Sequence, residues 1–231
     1  MGKADHRRAV FRGAGARRGL PVRRSGCDGR AARPARNGLR QRHGGALMNT
    51  LNKPLVQPDT RPLKERVATL GVFLANGFGI GAWAVEVPRI KESLALSDTS
   101  LGIALFAFAL GAIVAMPLAG QLAPRFGSGR ATALLGAAFV VALPLPAFAP
   151  NMATLCIALL ALGAANGALD VSMNGHASTI ETQWKSPIMS SFHASWSAGG
   201  LLGAATGAML QKGGVGVIGG LVLPDVFIAA L

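Results

Sequence analysis

The sequence predicts an all-α fold, a polytopic membrane helix bundle, from its composition, its apolar stretches and its scarcity of buried charge. The chain has 231 residues, of which 51% are hydrophobic. From about residue 67 onward, five long apolar stretches follow one another between short polar loops. Each could cross a bilayer as a helix, which takes about 20 residues. Only Glu86 and Asp170 carry a charge inside them, so most soluble enzyme classes are excluded.

The predicted helices follow these stretches in chain order. A last apolar segment is interrupted by Pro224 and Asp225, and we expect a sixth helix to open only after Asp225. That helix would be truncated at Leu231, because too few residues remain to cross a bilayer. The expected helices cover about 67–87, 101–123, 131–149, 152–177, 188–210 and, in part, 225–231.

The formal net charge of +13 belongs mainly to the start of the chain. Residues 1–47 hold 13 of the 23 Lys and Arg residues with only two acids, and they lack apolar periodicity, which predicts disorder. We expect this tail to lie upstream of a true start at Met48. The alternatives are a basic arm on anionic lipid, and a transit peptide or nucleic-acid arm. Residues 48–66 would be a cytoplasmic lead-in, and residues 67–231 would be the transmembrane domain. We expect no nucleic-acid partner.

The distribution of basic residues predicts the orientation in the membrane. Lys64 and Arg66 directly precede the first span, and Arg125 and Arg130 flank the loop between the second and third. Loops rich in Lys and Arg stay in the cytoplasm. The N-terminus is therefore expected to be cytoplasmic in a multi-pass topology.

Small residues recur at helical spacing in two spans. Gly199, Gly203 and Gly207 lie four residues apart in the fifth span, and Gly163 and Gly167 do so in the fourth. Such faces allow two helix backbones to approach closely. They predict close helix packing.

The fourth span carries the most suggestive polar stripe. Asn166, Asp170 and Asn174 follow one another at i, i+4 and i+8, so they share one helix face. A carboxylate inside the membrane is costly and normally faces a cavity or a partner. Asp170 is therefore a candidate proton carrier or substrate ligand. The alternative is that it hydrogen-bonds within the bundle or pairs with a basic group.

The fifth span carries a second polar stripe. Ser190, His193 and Ser197 are spaced i, i+3 and i+7, and Trp196 lies beside them. If this stripe faces a cavity, its hydroxyl, imidazole and indole groups could bind a polar or sugar-like solute. The alternative is hydrogen bonding between helices near the membrane interface.

The first span adds further candidates for solute or proton binding. Asn76 and Trp83 are its polar and amphipathic residues within the apolar run. Glu86 lies close to the predicted outer end, where a solvated or ion-paired role is the expected one.

No residue pattern indicates a cofactor, a metal site or an enzyme. Cys27 and Cys156 cannot form a disulfide framework, and no zinc-ligand spacing exists. Ser190, His193 and Asp170 are not embedded in a nucleophile-elbow or intramembrane-protease motif.

Residues 120–130, between the second and third spans, resemble the signature G-x-L-A-D-R-F-G-R-R of the major facilitator superfamily. The resemblance implies an N-terminal six-helix half of a twelve-helix fold, whose missing C-terminal half would be a required partner. Pro124 stands where the signature has Asp. The residues expected to form the gating motif of this cytoplasmic loop are Gly120, Arg125, Gly127 and Arg130.

Residues 83–91, 169–174 and 191–203 are similar to fucose-permease-like sugar/proton symporters of the same superfamily. This implies secondary active transport of a small polar solute, with a sugar and a proton as candidates, in the bacterial inner membrane among its lipids. The symporters carry an acid in helix 1 where Ala84 stands here. The alternatives are a drug or metabolite efflux antiporter and a non-transporting membrane sensor or scaffold.

Overall fold

A computed structural model describes residues 62–230, and these residues form an all-α helix bundle. The predicted tail and nearly all of the predicted lead-in lie outside the described residues, as does Leu231. A 3-10 turn over Leu145–Phe148 follows the third helix. The helices are α1 Leu63–Ser93, α2 Asp98–Phe126, α3 Ser128–Ala142, α4 Met152–Trp184, α5 Met189–Lys212 and α6 Val217–Ala230.

The lengths and composition of the helices confirm the predicted class of fold. Within the described part of the chain, four segments are long and apolar enough to cross a membrane: α1, α2, α4 and the segment Ser128–Phe148. The 31 residues of α1 extend about 45 Å, more than the roughly 30 Å of a bilayer core. α5 is less apolar because serines and His193 occupy its first half.

The start of the sixth helix differs from the prediction. α6 begins at Val217 and continues through Pro224, whereas we expected a helix only after Asp225. Gly220 and Leu221, just before Pro224, are buried against the bundle, and Phe78 of α1 packs on Phe227 with ring centroids 5.3 Å apart. A proline is tolerated inside a membrane helix when tertiary packing supports the backbone around it.

The turn between α2 and α3 is also shorter than the predicted loop. Pro124 and Arg125 belong to α2 and Arg130 belongs to α3, so Gly127 alone separates the two helices. Gly127 has a φ of 85°, a conformation that glycine adopts without steric cost. This one residue therefore reverses the chain direction.

Two helix pairs pack with their backbones in contact, as the glycine spacing predicted. A Cβ atom built at Gly203 would overlap the carbonyl oxygen of Phe78, which joins α5 to α1. A Cβ atom at Gly163 would overlap the carbonyl oxygen of Phe108, which joins α4 to α2. These two close pairs fix the register of α5 against α1 and of α4 against α2.

A side chain of α4, which the sequence pattern did not indicate as important, stabilises the connection between α4 and α5. The Oε1 atom of Glu181 accepts hydrogen bonds from the backbone N–H groups of Ile188 and Met189 at 2.8 and 3.1 Å. These donors begin α5, where no local side chain caps the helix. Glu181 therefore satisfies helix N-terminal groups that otherwise have no partner.

Glu86 is buried in a polar cluster at the opposite end of the bundle. Its side chain is 0% exposed and pairs with Arg89, whose Nη1 lies 3.1 Å from Oε2. Arg89 Nη2 also donates to the carbonyl oxygen of Val215 at 2.7 Å. Gln211 Nε2 donates to the carbonyl oxygen of Val85 at 2.9 Å. The cluster joins α1 to the end of α5 and the start of α6, so Glu86 is paired as expected but not solvated.

Replacing Glu86 by alanine is expected to destabilise the bundle by about 1–3 kcal/mol, because Arg89 and Gln211 lose a buried acceptor. Thermal unfolding of the purified protein in detergent micelles measures the change. Glu92→Ala is the matched control, since Glu92 is an exposed acid of the same helix. Equal melting temperatures for the two variants would contradict a structural role for the cluster.

Candidate functional site

Three helices bring polar side chains together inside the bundle. Asn76 of α1 is 3% exposed, and its Nδ2 donates to Oδ1 of Asn166 on α4 at 2.9 Å. The indole Nε1 of Trp196 on α5 donates to Oδ1 of Asn76 at 2.9 Å. Asn76, Asn166 and Trp196, each predicted as a candidate on its own span, thus form one hydrogen-bonded network.

The close packing of α1 and α5 places this network. A Cβ atom at Gly77 would overlap the carbonyl oxygen of Trp196, and one at Gly199 would overlap that of Leu74. Only glycine lets the two backbones approach this closely. Because Asn76 precedes Gly77, its side chain lies within hydrogen-bond reach of the Trp196 indole.

The network leaves hydrogen-bonding capacity for another molecule. An asparagine amide offers two donor hydrogens and an acceptor oxygen. Asn166 uses its oxygen on Asn76, whereas its Nδ2 makes no hydrogen bond to any residue of the range 62–230. That nitrogen is also not among the fully buried, unpartnered atoms of this range. Asn166 can therefore donate hydrogen bonds to a polar ligand.

Asp170 lies one helical turn further along α4 and is partly buried. Asn174 Nδ2 donates to Oδ1 of Asp170 at 3.1 Å and to its carbonyl oxygen at 2.8 Å, so the i, i+4 pair lies on one face as predicted. His193 of α5 lies near Asp170, but no hydrogen bond or ion pair joins the two side chains. Within residues 62–230, no Lys or Arg forms an ion pair with Asp170.

The remaining α5 candidates lie on an open face of the helix. Ser190, His193 and Ser197 are exposed, and Trp196 is 38% exposed. The His193 ring meets the Phe73 ring edge-on, with centroids 5.7 Å apart. In the described part of the chain the two serine hydroxyls have no hydrogen-bond partner. The alternative role for this stripe was hydrogen bonding between helices. Trp196 makes such a bond to α1, whereas Ser190 and Ser197 make none within this part of the chain.

Trp83 does not join the polar network. Its ring stacks on Phe108 of α2 with centroids 5.2 Å apart and an interplanar angle of 13°. Trp83 lies seven residues after Asn76, about 10 Å along the helix axis. Its Nε1 is buried without a hydrogen-bond partner among the described residues. The structure therefore places Trp83 in an aromatic contact between α1 and α2.

The residues of the predicted gating motif cluster around the α2–α3 turn. Gly120, Arg125 and Arg130 are exposed, and Gly127 is the turn itself. No hydrogen bond or ion pair links either arginine to another residue between positions 62 and 230. The structure thus presents one unpaired guanidinium group on each side of the turn.

Several polar contacts near this turn were not anticipated from the sequence. Ser128 Oγ lies 2.9 Å from His176 Nδ1, and Thr132 Oγ lies 3.0 Å from Ser172 Oγ. Both pairs join α3 to α4. The i, i+4 spacing of Ser128 with Thr132 and of Ser172 with His176 is the signal that could have indicated two matching polar faces.

Among the described residues, no group of three or more His, Cys, Asp or Glu side chains is arranged to hold a metal ion. The polar groups of the candidate site are amides, an indole, hydroxyls, a carboxylate and an imidazole. Such groups bind and release protons or form hydrogen bonds with a solute.

Comparisons with known proteins agree with the sequence signature. The profile of the Major Facilitator Superfamily matches residues 69–231. The uncharacterized transporter y4wD of Sinorhizobium fredii is 38% identical over 135 residues, which are 58% of this chain and 36% of that protein. An uncharacterized MFS-type transporter of Yersinia pestis is 38% identical over 158 residues, 68% of this chain and 40% of the relative.

A third relative is the membrane protein MosC of Rhizobium meliloti. It is 34% identical over 174 residues, 74% of this chain and 43% of that protein. The chain therefore spans less than half the length of the curated relatives it matches. No solved structure matches it.

Proposed function

The chain belongs to the major facilitator superfamily, and from this premise we propose that it forms part of a secondary active transporter for a small polar solute. The homologues in Sinorhizobium and Yersinia carry the name transporter. Because the chain matches only part of each relative, the activity of the whole protein is itself part of the proposal.

The observation that carries the proposal is the Asn76–Asn166–Trp196 network. Polar side chains inside an apolar bundle are costly and normally face a cavity, a partner or a transported solute. The network offers donors from Asn166 together with the partly exposed ring of Trp196. An amide donor beside an aromatic face suits a solute with hydroxyl groups and an apolar ring face. A sugar is such a solute.

We also propose that transport of the solute is coupled to movement of a proton. Asp170 is the acid of α4 inside the bundle, and His193 of α5 is the titratable group that lies near it. A carboxyl group that is partly withdrawn from water can carry a proton between two conformations. We assign the coupling proton to Asp170, since Ala84 stands where the fucose-permease-like symporters carry an acid in helix 1.

The orientation and the conformational change complete the proposal. Arg125 and Arg130 flank the α2–α3 turn, and Lys64 and Arg66 begin α1, so these ends would lie in the cytoplasm of a bacterial inner membrane. The α2–α3 turn would serve as the gating loop. Alternating access in such folds is a rocking of two halves around a midplane site. A second six-helix half would therefore complete the solute pathway.

Transport by cells that express this chain together with the second six-helix half tests the function. A panel of radiolabelled sugars, polyols and other small polar solutes is offered with an imposed proton gradient. We expect at least one solute to accumulate, and Trp196→Leu to reduce its uptake by about tenfold, because one hydrogen bond and the aromatic face are lost.

Phe148→Leu is the matched control, since Phe148 is an exposed aromatic residue outside the polar network. Export of the solute against the gradient would instead identify an efflux antiporter. Absence of any gradient-dependent movement by correctly inserted protein would contradict the proposal and favour a sensor or scaffold.

A further inference from the structure

An apolar groove lies between α2, α3 and α4, on the side of the bundle that carries the α2–α3 turn. Its volume is about 290 Å³. α2 and α3 each pack on α4 but contact one another only slightly, and this leaves the groove between them. All lining side chains are apolar, and they include Leu118, Leu122, Phe126, Ala131, Leu134 and Ala168.

Two arginines adjoin residues of this groove in the chain, one on each side of the α2–α3 turn. Arg125 directly precedes Phe126 and Arg130 directly precedes Ala131, so each is a chain neighbour of a lining residue. Both are exposed, and among residues 62–230 neither forms a hydrogen bond or an ion pair. The turn between them contains no acid.

The chemistry of the groove indicates what fills it. Its apolar walls offer no hydrogen-bonding side chain, so they suit a hydrocarbon chain. Guanidinium groups bind phosphate oxygens with charge-assisted hydrogen bonds. Basic pockets between membrane helices on the cytoplasmic side bind anionic lipid head groups. Hydrocarbon beside a phosphate is the structure of a phospholipid.

We propose that this groove is a binding site for an anionic phospholipid. One acyl chain lies along Leu118, Leu122 and Leu134, and the head-group phosphate lies between Arg125 and Arg130. The site is separate from the polar network and goes beyond the proposed transport function. Because it adjoins the α2–α3 turn, a bound lipid would bridge the ends of α2 and α3.

Lipid titration tests the head-group half of the proposal. The purified protein in phosphatidylcholine nanodiscs is titrated with labelled phosphatidylglycerol, and bound lipid is counted by native mass spectrometry. The variant Arg125→Gln/Arg130→Gln is expected to bind phosphatidylglycerol about 10- to 30-fold more weakly. Lys64→Gln/Lys212→Gln removes the same charge from exposed positions away from the groove and is expected to leave binding unchanged.

A second pair of variants tests the acyl-chain half without changing any charge. Ala123 lines the groove and is partly exposed, so Ala123→Trp fills the groove and is expected to weaken binding as well. Ala137→Trp, at an exposed position of α3 that does not line the groove, is the control for side-chain size.

Three results would overturn the proposal. The arginine variant could bind phosphatidylglycerol as tightly as its control, or phosphatidylcholine could bind as tightly as phosphatidylglycerol. The third is that Ala123→Trp dissociates a dimer of the chain without affecting lipid binding, which would make a second copy the occupant of the groove.

Discussion

Replacing Asp170 by asparagine is expected to abolish proton-driven accumulation of the solute, while solute binding and exchange remain. The asparagine side chain has nearly the same shape and can keep the hydrogen bond from Asn174. It cannot take up or release a proton, so the gradient no longer drives net transport. Accumulation in vesicles with an imposed pH gradient should therefore fall to the level of vesicles without the protein.

Two controls make this experiment specific. Asp98→Asn changes the same functional group at an exposed position, the first residue of α2, where Asp98 pairs with Lys91, and accumulation should persist. Solute exchange across vesicles with no gradient measures whether Asp170→Asn still folds and binds. Unchanged gradient-driven accumulation by Asp170→Asn would reject its role in proton coupling.

Replacing Gly203 by alanine is expected to destabilise the bundle by about 1–3 kcal/mol, because the new methyl group forces α1 and α5 apart. The methyl carbon would overlap the carbonyl oxygen of Phe78, and a backbone atom cannot move aside as a flexible side chain can. Thermal unfolding of the purified protein in micelles measures the loss. We also expect weaker solute transport, since this helix pair positions Trp196 beside Asn76.

Gly200→Ala is the matched control for this substitution. A Cβ atom at Gly200 would lie 3.7 Å from the carbonyl oxygen of Gly77, an ordinary contact. Both substitutions gain the helix propensity of alanine over glycine, about 1 kcal/mol, so their difference reports packing alone. A melting temperature for Gly203→Ala equal to that of Gly200→Ala would contradict the close α1–α5 pair.

The sequence predicts the number and order of the main helices because a span needs a long apolar run, and such runs are visible without tertiary information. It does not predict where α6 starts or that one glycine forms the α2–α3 turn. The first depends on packing against α1, and the second on the backbone conformation of Gly127. The burial of Glu86 was likewise hidden, because Gln211, which donates to Glu86, and Val215, which accepts from Arg89, lie more than 120 residues away.

The candidate site was predicted in part for the same reason. The i, i+4 spacing of Asp170 and Asn174 gives their contact directly, because both lie on one helix. The bonds that Asn76 makes to Asn166 and Trp196 span 90 and 120 residues. They depend on the registers of three helices, of which the glycine contacts fix that of α5 against α1. Trp83 looked equivalent to Asn76 in sequence, yet it packs on Phe108.

We propose that the polar faces of α1, α4 and α5 line a water-filled solute pathway. Cysteine labelling in intact membranes tests it without knowledge of the solute, in protein whose Cys27 and Cys156 are replaced by serine and alanine. Ser197→Cys lies on the open face of α5, and Leu134→Cys replaces a residue on α3 that is 66% exposed. A maleimide reacts with the thiolate, which forms in water and not in lipid. We expect rapid labelling of Ser197→Cys and none of Leu134→Cys, whereas an unreactive Ser197→Cys or equal labelling at both positions would contradict the claim.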